Sequence, residues 1–245
     1  MKNKIAKIIV DNIKTLIGAL LIAILIRSLI IQPFYIPSSS MEPNLLVGDR
    51  IFVSKFSYGY SKHSFPFSPN FSNKRFLSKE PTQGDLVVFK TPSDNRTDYI
   101  KRLIGLPGDE IQFINGELFI NKNKIKRKKI DNIFQIRCGN FLLETNTYIE
   151  TLPNGTEHLV TYNKKGSLQN TKIYKVPNNR YFLMGDNRDC SKDSRFLEEV
   201  GYVKKLNLVG KAKIIFFSND TKKNSMLKFW NIHKSFRLER TFQRL

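Results

Sequence analysis

At 245 residues, 40% of them hydrophobic, the chain can bury a real core as one large domain or two small ones. Lysine and arginine outnumber aspartate and glutamate 41 to 21, a formal charge of +20. The basic residues are scattered apart from Lys122–Lys129 and the tail, and no zinc-finger or RNP-type signature accompanies them, so nucleic acid is not an expected partner. Cys138 and Cys190 lack C-x-x-C spacing, which argues against a structural zinc site and a disulfide scaffold; one oxidised pair or two free thiols both stay open.

Lys2, Lys4, Lys7 and Lys14 precede an apolar run from Leu16 to Ile31, broken by Gly18, Arg27 and Ser28. Residues 13–34 would make a helix about 33 Å long, enough for one bilayer crossing. Arg27 lies near one end, where its guanidinium can snorkel to the headgroups. A cleavable export signal has the same plan, but no Ala-x-Ala pattern follows, so a retained anchor is the expectation. The positive flank places residues 1–12 in the cytoplasm and the rest, after Phe34, outside.

After the anchor comes Ile36-Pro37-Ser38-Ser39-Ser40-Met41-Glu42-Pro43, a hydroxyl cluster between two prolines that stiffen a non-helical backbone. Short β-branched and aromatic runs, Arg50–Ser54 and Asp85–Phe89, read as strands. Ser57–Thr82 between them is a long loop or a hairpin extension, and its Phe65 and Phe67 are candidates for touching a membrane. In a strand over Asp98–Leu103, Tyr99, Lys101 and Leu103 share one face and Arg102 the other.

From Glu110 to Val176 alternating apolar residues surround Asn115-Gly116, and a second Asn-Gly pair, Asn154-Gly155, separates Tyr148–Thr151 from Leu159–Tyr162. Both are hairpin signals. This stretch reads as an inserted β-rich accessory domain, 111–176, with a lid-like role, and Lys122–Lys129 within it as a solvated loop. Tyr181–Met184 and Asn207–Phe216 are further strands. The basic, apolar-dotted tail 222–245, with Leu227, Phe229, Trp230, Phe236 and Phe242, lies on a membrane surface or frays. The fold class is mainly β behind one N-terminal transmembrane helix.

A serine nucleophile needs a base within hydrogen-bond reach. His63, His158 and His233 accompany no serine block, whereas Lys101 has apolar neighbours, whose burial would lower its pKa. Three blocks in order, Ile36–Asp49, Asp98–Asp109 and Gly185–Arg195, with Gln83–Phe89 between the first two, resemble the bacterial type I signal peptidases, membrane-bound proteases with a Ser/Lys dyad. The resemblance covers most of Phe34 to Phe217. It implies a catalytic β domain formed by 35–110 and 177–221, with Ser40 as nucleophile and Lys101 as general base through an acyl-enzyme. Ser38 and the Ser40 N–H would form the oxyanion hole, and Ser191 would orient the lysine. Asp186 would support Arg102, and Asp193 would support Arg195. Phe34, Ile36, Pro37, Met41, Leu45, Ile51, Val88, Tyr99 and Ile100 would wall pockets for small residues at −1 and −3 of exported preproteins. The implied partners are signal peptides, the lipid bilayer of the inner membrane and a nearby export translocase, with no cofactor and no metal. The family often has Gly where Ser39 stands and Asn where Cys190 stands. A calcium loop from Asp189 fits poorly, because Ser194 and Val200 occupy the Gly and Glu positions.

Two rival classes differ in what they need. A self-cleaving Ser/Lys repressor would require a DNA-binding domain and no anchor; a non-catalytic tethered adaptor would leave the three blocks without a role.

Overall fold

The computed structural model describes residues 2–70, 72–139, 141–163, 169–220 and 235–245. Helix α1 runs Lys2–Leu29. It is apolar enough to cross a membrane over Lys4–Leu29, with mean hydropathy 2.1 and none of that window buried against the rest of the chain. It ends earlier than the expected span of 13–34. Pro33 cannot continue a helix, and Ile31–Tyr35 instead forms strand β1, paired with β2 (Asp49–Ser54) as a sheet edge, where a proline is tolerated. Arg27 therefore sits in the last helical turn, where a cation faces the negative end of the helix dipole.

Further strands follow in chain order. They are β3 (Leu86–Lys90), β4 (Asp98–Gly105), β5 (Glu110–Ile114), β6 (Glu117–Ile120), β7 (Asn123–Lys124), β8 (Lys126–Cys138), β9 (Phe141–Thr151), β10 (Glu157–Asn163), β11 (Tyr174–Lys175), β12 (Arg180–Met184), β13 (Val203–Lys204), β14 (Leu208–Ser218) and β15 (Gln243–Arg244). The main sheet has the order β1-β2-β14-β3-β4-β12-β13, with β15 added against β14. Two smaller sheets, β11-β5-β6-β7 and β10-β9-β8, come from the inserted stretch. The β5–β6 turn is the expected two-residue Asn115-Gly116 hairpin, with both residues at positive φ as that turn requires.

The described residues of the inserted stretch share a core with the main sheet: Ile111, Phe113, Leu118 and Ile120 pack with Ile104 of β4 and with Phe182 and Met184 of β12 in one cluster. Two expectations need correction. Lys122–Lys129 is not a loop but runs through β7 into β8, with Ile125 turned into the core and the lysines outward. The tail residues 221–234, including Leu227, Phe229, Trp230 and His233, lie outside the described residues. The rest of the tail docks on the main sheet through β15.

Ser57–Thr82 is a long loop closed by a Tyr60–Phe76 bridge, and it carries a fully exposed Phe67. A second cluster, with Ile36, Met41, Leu45, Ile51, Val53, Val88 and Ile215, lies between β2, β3, β14 and the serine loop. That cluster is the platform on which the site is built.

Candidate active site

The loop from β1 to β2 is held at its base by Ile36 N–H to the Asp49 carbonyl (2.9 Å) and Gly48 N–H to the Ile36 carbonyl (3.0 Å). Gly48 has φ +98°, and a Cβ there would lie 1.9 Å from the Asn219 carbonyl oxygen, so only glycine fits. At the far end Ser39–Met41 makes a 3-10 turn, entered from Ser38 in extended conformation. Met41 and Leu45 plug the core completely and fix the turn, leaving Ser40 nearly buried and Ser38 exposed. The Ser38 and Ser40 hydroxyls are 3.3 Å apart.

Lys101 reaches this turn from the middle of β4. Its Nζ donates to Ser40 Oγ at 2.5 Å and stands over the Tyr99 ring, 5.5 Å from its centroid. The side chain is 4% exposed, flanked by Tyr99 and Leu103 on its own strand and paired with Val87 across β3. Burial disfavours the ammonium and lowers the pKa from the ordinary lysine value to about 8; Asp193 and Asp186 pull it back up, and Arg195 pushes it further down. A hydroxyl and an amine of lowered basicity in direct contact can serve as nucleophile and base.

The third block packs against both. Gly185 leaves no room for a side chain: a Cβ would meet Ser191 Oγ at 2.2 Å and the Ser40 carbonyl oxygen at 2.5 Å. The Ser191 hydroxyl is buried there beside Asp193, whose carboxyl it helps to hold down, and the hydrogen bond shown for Lys101 goes to Ser40 instead of Ser191. Asp193 takes the Gly185 N–H and the Arg195 guanidinium. Burial pushes its carboxyl up, and Arg195 outweighs that to hold it below the usual carboxylate range. Arg102 donates to both Asp186 oxygens at 2.8 and 2.7 Å, the expected support, in a bidentate pair.

Four residues that sequence reasoning missed complete the frame. Asn187 donates its side-chain N–H to the Ser39 carbonyl and its backbone N–H to the Ser40 carbonyl, both at 3.2 Å. Asn44 donates to Asp186 and to the Leu159 carbonyl, each at 2.7 Å. Arg188 is fully buried and pairs with Glu150 of β9, while β10 bridges in parallel to Asn187 through Thr161. Cys138 and Cys190 form a disulfide, so the β8–β10 sheet is tied to the third block covalently as well. Asn44 and Asn187 carry no local signal, because their roles depend on chain segments more than 100 residues away.

Beside the Ser40–Lys101 pair lies a cleft of about 330 Å³. Phe34, Ile36, Pro37, Ile51, Val88, Tyr99 and Ile100 line it, together with Tyr35, Thr97 and Asp98. Met41 and Leu45 do not: both are wholly buried beneath the wall, where alternation cannot tell wall from foundation. No cluster of three or more metal-ligating side chains is present among the described residues.

Known proteins resemble this chain over most of its length. Residues 9–217 match the family described as Signal peptidase, peptidase S26. Signal peptidase I of Rickettsia conorii is 41% identical over 244 residues, covering 91% of this chain and 88% of that one. Its counterpart in Rickettsia akari is 43% identical over 209 residues, covering 80% and 75%. A crystal structure of a signal peptidase I from Enterococcus faecalis is 28% identical with a TM-score of 0.32, over 54% of this chain and 97% of that one. With a family match across most of its length and these relatives, the chain belongs to the signal peptidase family, peptidase S26, and is a serine endopeptidase of the signal peptidase I type.

Proposed function

We propose that this enzyme removes N-terminal signal peptides from exported preproteins, cutting after small residues at −1 and −3, with Ser40 as nucleophile and Lys101 as base. The observation that carries the reading is the direct Lys101 Nζ to Ser40 Oγ contact beside an apolar cleft. In the neutral amine state, Nζ takes the Ser40 proton as Oγ attacks the scissile carbonyl carbon. The oxyanion is held by the Ser40 N–H and the Ser38 hydroxyl. The lysine ammonium then protonates the leaving amine, the C–N bond breaks, and an acyl-enzyme on Ser40 remains. Lys101 next deprotonates a water, which attacks the ester; the acyl C–Oγ bond breaks, Lys101 returns the proton to Ser40 Oγ, and the signal peptide leaves with a free C-terminal carboxylate. The apolar walls accept Ala and exclude bulk, each wrong methylene costing about 1 to 3 kcal/mol.

Helix α1 anchors the enzyme in the inner membrane, its lysine-rich end in the cytoplasm and the cleft on the outer side, near the translocase that delivers preproteins. The exposed Phe67 would enter the outer leaflet. Incubating wild type and Ser40→Ala with a purified preprotein tests the reading. Processing by wild type and none by the variant is expected; equal processing would remove Ser40 from the mechanism.

A further inference from the structure

The family match ends at residue 217, yet the segment from Ser235 to Leu245 is built into the wall behind the nucleophile loop. β15 pairs Arg244 with Ile214 and Gln243 with Ile215, and Leu245 packs on the cluster that contains Met41 and Leu45. Arg237 donates to the Val47 carbonyl at 3.0 Å. Arg240 makes the decisive contacts: its Nη2 donates to the Asn44 carbonyl at 2.8 Å and to Asp49 Oδ2 at 2.6 Å.

Those two acceptors stand at opposite ends of the turn that closes the loop carrying Ser40. Asp49 is completely buried and also receives the Leu46 N–H and the Ser218 hydroxyl. Asn44, whose carbonyl Arg240 holds, uses its own amide to grip Asp186, the partner of Arg102. One guanidinium, 14% exposed at its side chain, thus joins the C-terminal segment to the nucleophile loop and, through Asn44, to the third block. The guanidinium also donates its Nε–H to Asp49 Oδ1 at 3.3 Å, so two nitrogens hold the carboxylate while Nη2 also holds the Asn44 carbonyl, a two-nitrogen grip that the single nitrogen of a lysine cannot reproduce.

We propose that Ser235–Leu245 is an intramolecular clamp on the nucleophile loop and that Arg240 is its positioning residue, fixing Ser40 against Lys101 without touching either. The proposal rests on the reading of Ser40 as nucleophile. An error of about 1 Å in a reacting group costs on the order of 100-fold in rate, so a slackened loop is felt in turnover more than in binding.

The test uses the full-length enzyme in detergent micelles, comparing wild type, Arg240→Ala, Arg240→Lys and Ser40→Ala. Active-site titration with an acylating probe counts competent serines, and thermal melts report the folded fraction. Arg240→Ala should lose at least tenfold in kcat per titrated site, with KM within twofold and the pH midpoint of activity unmoved, because the burial of Lys101 does not depend on Arg240. Arg240→Lys should fall between the two. Wild-type kcat per titrated site in either variant would overturn the clamp, as would a loss accounted for wholly by unfolded protein. Should Arg240→Ala fail to fold, Arg240→Lys decides by the same criterion. Activity in Ser40→Ala would instead sink the nucleophile assignment, so the two failures are distinguishable.

Discussion

Lys101 Nζ lies 2.5 Å from Ser40 Oγ although the two residues come from different elements, a loop and the centre of a strand. When Lys101 is protonated, its ammonium donates in this contact. The proposed mechanism needs the reverse, in which Ser40 donates to a neutral amine, and the depressed lysine pKa of about 8 makes that state accessible. At pH 7 roughly a tenth of the molecules would carry the neutral amine, against fewer than about one in a thousand for an ordinary lysine.

Activity should therefore rise with pH through a single ionisation near 8. The sign follows from the base: deprotonation creates the active form, so the rate is low below the midpoint and reaches a plateau above it. Lys55, buried under the Ser57–Thr82 loop, is also lowered to about 8 by burial but lies outside the cleft. A kcat/KM profile should keep its midpoint in Lys55→Met. A midpoint near 10.4 in wild type would contradict the desolvated base.

Preproteins with Ala at −1 should be cut efficiently, and those with Phe or Lys there at least 100-fold more slowly, since the cleft beside Ser40 is lined by Ile36, Val88 and Ile100. Competition between paired substrates measures the ratio. Equal rates for Ala and Phe would remove the pocket assignment.

The Arg188–Glu150 pair joins the β8–β10 sheet to the third block with both side chains 1% exposed. Arg188→Ala leaves the buried Glu150 carboxylate, among the described residues, with only His158, at 3.4 Å, beside it and should destabilise the protein by about 3 to 5 kcal/mol. Chemical denaturation of the purified variant checks this. A change below about 1 kcal/mol would mean that water reaches Glu150.

Protease added to intact spheroplasts should digest everything beyond α1. Protection of the region from Leu118 onward would reverse the topology.

Much of this architecture was readable where the signal is local. Asn115-Gly116 demands a two-residue hairpin and formed one. Alternation placed Lys101 among apolar neighbours and Arg102 on the opposite face, toward Asp186. The misreadings share a different cause. Apolar residues continue past Leu29, so hydropathy alone extends the helix to residue 34, although Pro33 was the available sign that it stops. Met41 and Leu45 have the same chemistry as the cleft walls and differ only in lying beneath them. The roles of Asn44, Asn187, Glu150 and Arg240 arise from contacts between segments distant in sequence, which no local pattern encodes. The two cysteines, 52 residues apart, were in the same position until the fold brought them together.

The central claim is that Lys101 moves a proton instead of merely supplying positive charge. Arginine keeps the charge and a similar length but stays protonated at any working pH, so Lys101→Arg separates the two roles. The decisive measurement is kcat for Lys101→Arg beside Lys101→Ala and wild type, at a pH above 8, on a preprotein with Ala at −1. The account predicts that both variants are folded and equally inactive, at least 1000-fold below wild type. A folded Lys101→Arg enzyme retaining most of the wild-type kcat would contradict it.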